Sequence, residues 1–355
     1  MYPLGFTGAE PVALAPDERV RHRLRQLEAW LGYAVDLGCT GLLLGPVFVS
    51  ETHGYDTVDH FEIDPRLGDQ EDFDHLVAEA GRRGLRIVLD GVFNHVGRSF
   101  PAFQAALAGG PGSPAARWFR YDAGTGEYAT FEGRHGLVTL DHEEPEVVDY
   151  VAQVMSYWLD RGAAGWRLDA AYAVPASFWA KVLPGVREAY PGAWFLGEMI
   201  HGDYAAYAAD SGLDSITQYE LWKAIWSSLN DPNFFELAWA LGRHNEIRPA
   251  FPASPADLPP DGWPAYRLHQ RLIGFRRRHP WLARARTTVE HLANETIAIR
   301  AAAQDAGILV LLNAGDAPFR FPVGVTGLTA AQTPDPDSLP ADPALVPAHS
   351  WIILD

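Results

Sequence analysis

The sequence predicts a (β/α)8 TIM barrel, incomplete around its seventh and eighth strands, with a small antiparallel β-domain behind it. Three observations carry that expectation. The first two thirds of the chain repeat an amphipathic helix, a short turn and a buried strand, which is the rhythm of parallel β/α units. Four of those strands end in a charged or polar residue (Asp90, Asp169, Glu198 and Gln218), as strands do at the active face of a barrel. After about residue 284 the helical rhythm stops and short apolar runs separated by turn residues replace it. A doubly wound open sheet is the competing architecture, but no GxGxxG turn follows the first strand.

The elements follow in order. MYPLGF is long enough only for the end of a first strand. ERVRHRLRQLEAWLGYAVDLG (18–38) places apolar residues at helical spacing and closes on Gly, and CTGLLLGPVF (39–48) is the buried strand after it. The pattern recurs in 70–84 with 85–95, in 144–162 with 163–171, and in 177–192 with 193–200. A weaker fifth unit pairs LDSITQYEL (213–221) with the helical NFFELAWALGRHN (233–245). Between 97 and 143 the rhythm breaks into a Gly- and aromatic-rich excursion, and loops of that size are usually functional. A Pro-rich stretch (248–264) precedes one last strong helix, AYRLHQRLIGFRRRHPWL. These boundaries place the barrel in residues 1–283 and a β-sandwich domain in 284–355, the latter built on TIAIRA, GILVLLNA and SWIILD.

Composition narrows the function classes. The chain has 355 residues and a formal net charge of −17, which argues against a nucleic-acid backbone as partner and suits a neutral substrate. No run of about 18 apolar residues is present to span a membrane. The opening MYPLGFTGAEP has neither the basic nor the apolar region of a signal peptide, so the cytoplasm is the default expectation. The single cysteine, Cys39, excludes an internal disulfide. Twelve Trp and 13 Tyr would suit stacking on sugar rings, although aromatics more often build core.

Chemistry concentrates in four stretches at strand ends: HGYDTVDHFEIDPRLG (53–68), DGVFNH (90–95), GWRLDAAY (165–172) and GEMIHGD (197–203). Arg167 and Asp169 are two apart on one strand and so share a face; burying two such charges is costly unless a site uses them. Asp169 and Glu198 then sit on adjacent strand ends, with Arg167, His95, Asp90, Tyr55 and Asp56 around them. Paired carboxylates so placed suit glycoside hydrolysis, one attacking the sugar carbon and the other protonating the leaving oxygen. The neighbouring guanidinium would keep Asp169 ionised, and desolvation after the apolar run WFLG would raise Glu198 toward a proton donor's range. The bland readings stand beside these. Asp90 could be a structural charge, Arg167–Asp169 a structural ion pair, Tyr55 and Trp166 packing, and His53, His201 and Asp203 a polar rim rather than a metal cluster.

These stretches resemble the α-amylase family of glycoside hydrolases, family thirteen, in its cyclomaltodextrinase, neopullulanase and α-glucosidase branch. Asp90, Asn94 and His95 match the Asp-x-x-x-Asn-His signature; Gly165, Arg167 and Asp169 match Gly-x-Arg-x-Asp; Gly197 and Glu198 match the Gly-Glu of the fifth strand. Gly54 to Asp56 match the Gly-Tyr-Asp after the second strand, and LVTLDHEEPEVVDY (137–150) looks like the fifth signature. The resemblance implies a retaining enzyme acting on α-glucosidic bonds of maltooligosaccharides or related α-glucans. Asp169 would be the nucleophile, Glu198 the general acid/base, and Arg167 the group that orients Asp169. His95 would bind a sugar hydroxyl and Tyr55 would stack on the sugar, with Asp56 and His201 also on the substrate. No cofactor is required, and Asp90 and Asn94 would be structural or would serve a calcium ion in relatives that have one. A transglycosidase, a trehalose-type isomerase and a catalytically impaired sugar-binding relative are the alternatives.

One signature of that family, Asn-His-Asp at the end of the seventh strand, occurs nowhere in the sequence. At roughly 31 residues per β/α unit, about 50 or more residues of barrel are missing before the Pro-rich stretch. A true deletion would expose strand edges, which is a liability. A sequence joined across a segment that the protein retains avoids that penalty. Glu246 and Asp257 are carboxylates in the right region, but nothing in their spacing supports either as a substitute.

Overall fold

The structure, a computed structural model, describes residues 1–122, 124–217, 219, 255, 263–293, 295–303, 306–335 and 341–355. The chain divides into two compact units, Met1–Leu258 and Pro259–Asp355. Gln218, most of the fifth β/α unit, nearly all of the Pro-rich stretch, Glu246 and Asp257 lie outside the described residues.

The first unit is built on a five-stranded parallel sheet. Its members among the described residues are β1 (Gly41–Leu43), β4 (Arg86–Gly91), β7 (Gly165–Leu168), β8 (Trp194–Gly197) and β9 (Ser215–Ile216), in that spatial order. Neighbours in sequence are neighbours in space, as a barrel requires, and the sheet is that of an incomplete (β/α)8 barrel. The amide of Gly45 and the N-terminal amine of Met1 bond across to Met1 O and Leu43 O, so the β1 edge is covered by the first residues.

The helices explain themselves locally. After α1 (Pro3–Phe6), α2 (Leu24–Leu37) stops on Gly38, whose left-handed φ of 95° serves the C-cap. In α3 (Gln70–Arg82) the Asp69 side chain accepts from Asp72 N while the Asp72 side chain accepts from Asp69 N, a reciprocal cap. The last helix before β7, α5 (Pro145–Asp160), buries Val147, Val151, Val154, Met155, Trp158 and Leu159, a stripe at helical period. Trp158 packs against Phe48 and Phe73 and donates its indole N–H to His60 O at 2.7 Å. Trp166 packs between Phe48 and Phe93, fully buried, so it belongs to the core. After β7 and β8 come α6 (Ala176–Ala189) and α7 (Tyr204–Ser211).

Two antiparallel ribbons stand off the sheet. β2 (Phe48–Ser50) pairs with β3 (Thr57–Ile63) and carries the His-Gly-Tyr-Asp turn at its tip. β5 (His95–Gly97) pairs with β6 (Leu137–Thr139), with His95 opposite Thr139. The excursion at 97–143 leaves and returns on that second ribbon and contains α4 (Pro101–Gly109) and two 3-10 turns, Pro114–Trp118 and Phe131–Gly133.

Gly165 shows why the Gly-x-Arg-x-Asp motif begins with glycine. A Cβ there would lie 2.0 Å from the Trp194 carbonyl oxygen of the paired strand, and backbone cannot retreat as a side chain can. Gly165→Ala should therefore pry β7 from β8 and lower stability by about 2–4 kcal/mol in denaturant melts. An unchanged midpoint would show that the sheet yields more easily than this contact implies.

The second unit holds the helix Trp263–Arg278 and a five-stranded antiparallel sheet. The sheet order is β10 (Arg286–Leu292), β11 (Thr296–Ala303), β12 (Ala306–Asn313), β16 (Ser350–Leu354) and β14 (Ala330–Gln332). A ribbon of β13 (Phe319–Arg320) with β15 (Leu345–Val346) completes it. TIAIRA, GILVLLNA and SWIILD are β11, β12 and β16, and their core is Ala298, Leu309, Leu311, Phe321, Val346, Ile352 and Leu354. The helix, which the sequence rhythm assigns to the barrel's end, groups with this sheet: Phe275 packs with Ala301 and Ile308, and Arg271 donates to Thr333 O.

Candidate active site

The register of the parallel sheet assembles the site. Asp90 on β4 is the partner of Arg167 on β7, and Leu168 is the partner of Gly197 on β8. The residues one step beyond, Asp169 and Glu198, therefore leave their strands side by side. The Arg167 guanidinium then meets three carboxylates. Its Nη1 donates to Asp90 Oδ1 at 2.5 Å and to Asp169 Oδ1 at 3.1 Å, and its Nη2 lies 2.6 Å from Glu198 Oε1. Only a planar fork with several fixed donors spans three acceptors this way.

One positive charge against three negative ones is not neutral, and all four groups are largely shielded from water. Burial pushes the Asp169 carboxyl up to about 8, and the charge of Asp90 adds to the push while Arg167 opposes it. Burial likewise raises Asp90, to about 6, again against Arg167. The expectation from sequence, that the guanidinium keeps Asp169 ionised, meets a stronger effect here: desolvation and two neighbouring carboxylates outweigh a shared cation. Glu198 faces donors rather than the apolar surroundings that the run WFLG suggests. Its Oε1 takes Arg167 and the Tyr219 hydroxyl (3.2 Å), and its Oε2 accepts the Ala170 amide at 2.9 Å. Ala170 sits in the left-handed region, with φ 46° and ψ 36°, strain of the kind that clusters at functional sites. That conformation aims its N–H at Glu198.

These groups lie in a cleft of about 760 Å³. Arg167, Asp169, Ala170 and Glu198 line it from the sheet, while Tyr2, His53 and Tyr55 line it from the N-terminal segment and the β2–β3 turn. Phe131, Glu132 and Arg134 of the excursion, with Tyr172 and Tyr219, complete the lining. The Tyr55 ring stacks at 6.4 Å on Tyr2. Asp56 is buried and accepts from Thr52 Oγ1 at 2.5 Å; it is not among the cleft residues. His201 is exposed, with its ring 5.6 Å from that of Tyr172, and is also absent from the lining.

His95 does line the cleft, but its ring nitrogens already have protein partners. Nδ1 is 3.0 Å from Asn94 Nδ2 and Nε2 is 3.0 Å from Tyr55 O, and Phe131 stacks on the ring at 4.7 Å. An amide N–H facing Nδ1 leaves the proton on Nε2, which donates to Tyr55 O. Burial lowers the ring to about 4, so it is neutral. In this arrangement both ring nitrogens face protein groups, where the family resemblance implies a bond to a sugar hydroxyl.

A calcium ion does not fit at Asp90 and Asn94. A cation, Arg167, already lies against Asp90, and the Asn94 amide is turned to His95. Among the described residues, the group of His, Asp and Glu close enough to hold a metal is His22, Asp69 and Asp72. There Arg25 Nε already occupies Asp72 at 2.7 Å and the two Asp residues cap α3, so the cluster is a helix cap.

Sequence reading missed Tyr2, Phe131, Glu132, Tyr172 and Tyr219. Tyr172 follows Asp169 by three residues within the quoted motif, and that proximity was the one available signal. Phe131 and Glu132 belong to the excursion, a segment without periodicity, and Tyr2 and Tyr219 lie in stretches read only as strands.

A (β/α)8-type barrel that brings an Asp and a Glu together at the ends of consecutive strands has the carboxylate pair of the glycoside-hydrolase barrels. The alpha amylase catalytic domain model matches residues 24–125 and 113–239, and the chain belongs to the α-amylase family. It is similar to neopullulanase 2 of Thermoactinomyces vulgaris, 36% identical over 219 residues, covering 58% of this chain and 37% of that protein. It is 37% identical over 176 residues to the intracellular maltogenic amylase of Bacillus subtilis, covering 48% of this chain and 30% of the relative. The chain thus spans about a third of the length of these curated relatives. Among solved structures, a cyclic alpha-maltosyl-(1→6)-maltose hydrolase of Arthrobacter globiformis superposes with a TM-score of 0.74 at 22% identity, covering 97% of this chain and 95% of that one. At that identity the likeness speaks to the fold. No helix among the described residues is long and apolar enough to cross a membrane.

Proposed function

We propose that the protein is a retaining glycoside hydrolase or transglycosidase acting on α-glucosidic bonds of maltooligosaccharides. The observation that carries this reading is the shared guanidinium: Arg167 holds Asp169 and Glu198, from adjacent strand ends, in one cleft. Asp169 attacks the anomeric carbon once it is ionised, forming a glycosyl-enzyme ester. Glu198 protonates the departing oxygen and then removes a proton from the incoming water or sugar hydroxyl. Arg167 orients both carboxylates, and its charge offsets theirs as the reaction proceeds. Tyr55, which also lines the cleft, stacks on the sugar.

The test is proton NMR of a maltotriose digest, since a retaining enzyme releases the α-anomer first. Release of the β-anomer first would sink the double-displacement assignment. Glu198→Gln should slow turnover by about 10²–10⁴-fold while leaving maltotriose binding measurable. A second reading, a sugar-binding relative with impaired turnover, is favoured by the missing Asn-His-Asp triplet. Saturable binding of maltooligosaccharides with no product released would establish it.

A further inference from the structure

We propose that Glu132 and Tyr172 form a specificity-determining pair that closes the cleft on its excursion side and limits the length of glucan it accepts. This rests on the α-glucan reading of the cleft and adds a chain-length rule to it. The Tyr172 hydroxyl donates to Glu132 Oε1 at 3.1 Å across 40 residues of sequence. Glu132 belongs to the 3-10 turn Phe131–Gly133 of the excursion, and Tyr172 belongs to the turn Ala171–Ala173 that directly follows Asp169 and Ala170. The bond therefore ties the excursion to the loop that carries the proposed nucleophile. Both residues line the cleft.

Glu132 is exposed and Tyr172 half-buried, and two further observations tie their contact into the cleft wall. Glu132 has φ 51° and ψ 33°, a left-handed conformation that is unfavourable for a residue with a Cβ and persists where the surroundings hold it. Beneath it Phe131 stacks on His95 at 4.7 Å and lies 6.4 Å from the Tyr172 ring. A wall thus runs from His95 through Phe131 to Tyr172, and the charged hydrogen bond joins Glu132 to its exposed end. A cleft of about 760 Å³ is of small-molecule size. A short oligosaccharide fits inside, whereas a longer chain leaving on this side must break the bond and leave the Glu132 carboxylate without its donor.

The experiment measures calorimetric dissociation constants for maltotriose and maltoheptaose in an Asp169→Asn background, so that the ligand is not consumed. The variants are Glu132→Ala, Tyr172→Phe and the two combined. The ratio of maltoheptaose to maltotriose affinity should rise about two- to tenfold in each single variant, the worth of one hydrogen bond. The double variant should rise no further, because both changes remove the same bond. If either single variant fails to fold, Glu132→Gln keeps the side-chain volume and removes the charge. An unchanged ratio, or an equal loss of affinity for both ligands, overturns the bridge while the α-glucan reading stands. If the parent protein binds neither ligand, the α-glucan reading itself fails and the chain-length rule goes with it.

Discussion

Replacing Asp169 with Asn should abolish turnover and at the same time make the protein more stable. The loss, about 10⁴-fold or more in kcat, follows from removing the group proposed above to form the covalent ester. The gain in stability follows from the electrostatics of the site. Asp169 is buried beside Asp90 and Glu198, and its carboxyl is pushed up to about 8 from an ordinary value of 3.8. A carboxyl raised in the fold binds a proton there that the unfolded chain has released, so stability falls as pH rises from about 4 to about 8. An Asn at this position carries no such penalty. The variant should be more stable by about 1–3 kcal/mol at pH 7, with the difference shrinking toward pH 4. Denaturant melts across that range are the check, and a destabilised variant at pH 7 would refute the electrostatic account. The same shift sets the activity profile of the wild type. Attack requires an ionised nucleophile, so the acid limb of kcat/KM should lie between about 6 and about 8, where Asp90 and Asp169 titrate as a pair, and not near 4.

The second large effect is expected at Arg167. Arg167→Met leaves Asp90, Asp169 and Glu198 facing one another with their shared cation gone. Removing one partner of buried ion pairs is destabilising by about 3–5 kcal/mol, a large fraction of a domain's total stability. The defect should be greatest at pH 8 and smaller at pH 5, since protonating the carboxyls removes the repulsion that the guanidinium offset. Arg167→Lys should fall between, because an ammonium keeps the charge but cannot reach three acceptors from one plane. Equal melting of Arg167→Met and wild type at both pH values would mean that the cluster is solvated well enough to do without its cation.

Much of the candidate site is legible along the chain because the parallel sheet converts sequence motif into position. Asp90, Arg167, Asp169 and Glu198 each stand at or just beyond a strand end, and pairing by register brings them together with no help from the loops. Gly165 is legible for the same reason, since its lack of a side chain is a requirement of the β7–β8 contact. Among the residues that escaped, Phe131 and Glu132 are loop residues. They come from a segment whose path depends on the β5–β6 ribbon and on a left-handed turn, neither of which leaves a periodic trace. Two residues quoted with the motifs stand apart from the cleft lining. Asp56 directly follows Tyr55 and His201 stands three residues after Glu198, yet one turns inward to Thr52 and the other is exposed to solvent.

The sequence by itself determined the barrel class, the antiparallel β-domain and the identity of the charged groups at the strand ends, because the 3.6- and 2-residue periods and the strand-end polarity are local properties of the chain. The tertiary structure alone decided how those charges share protons, which partner occupies His95, and which aromatic and acidic residues wall the cleft. Those depend on burial and on distances between residues 40 or more apart, such as Glu132 with Tyr172 and His95 with Tyr55, and no local period encodes them.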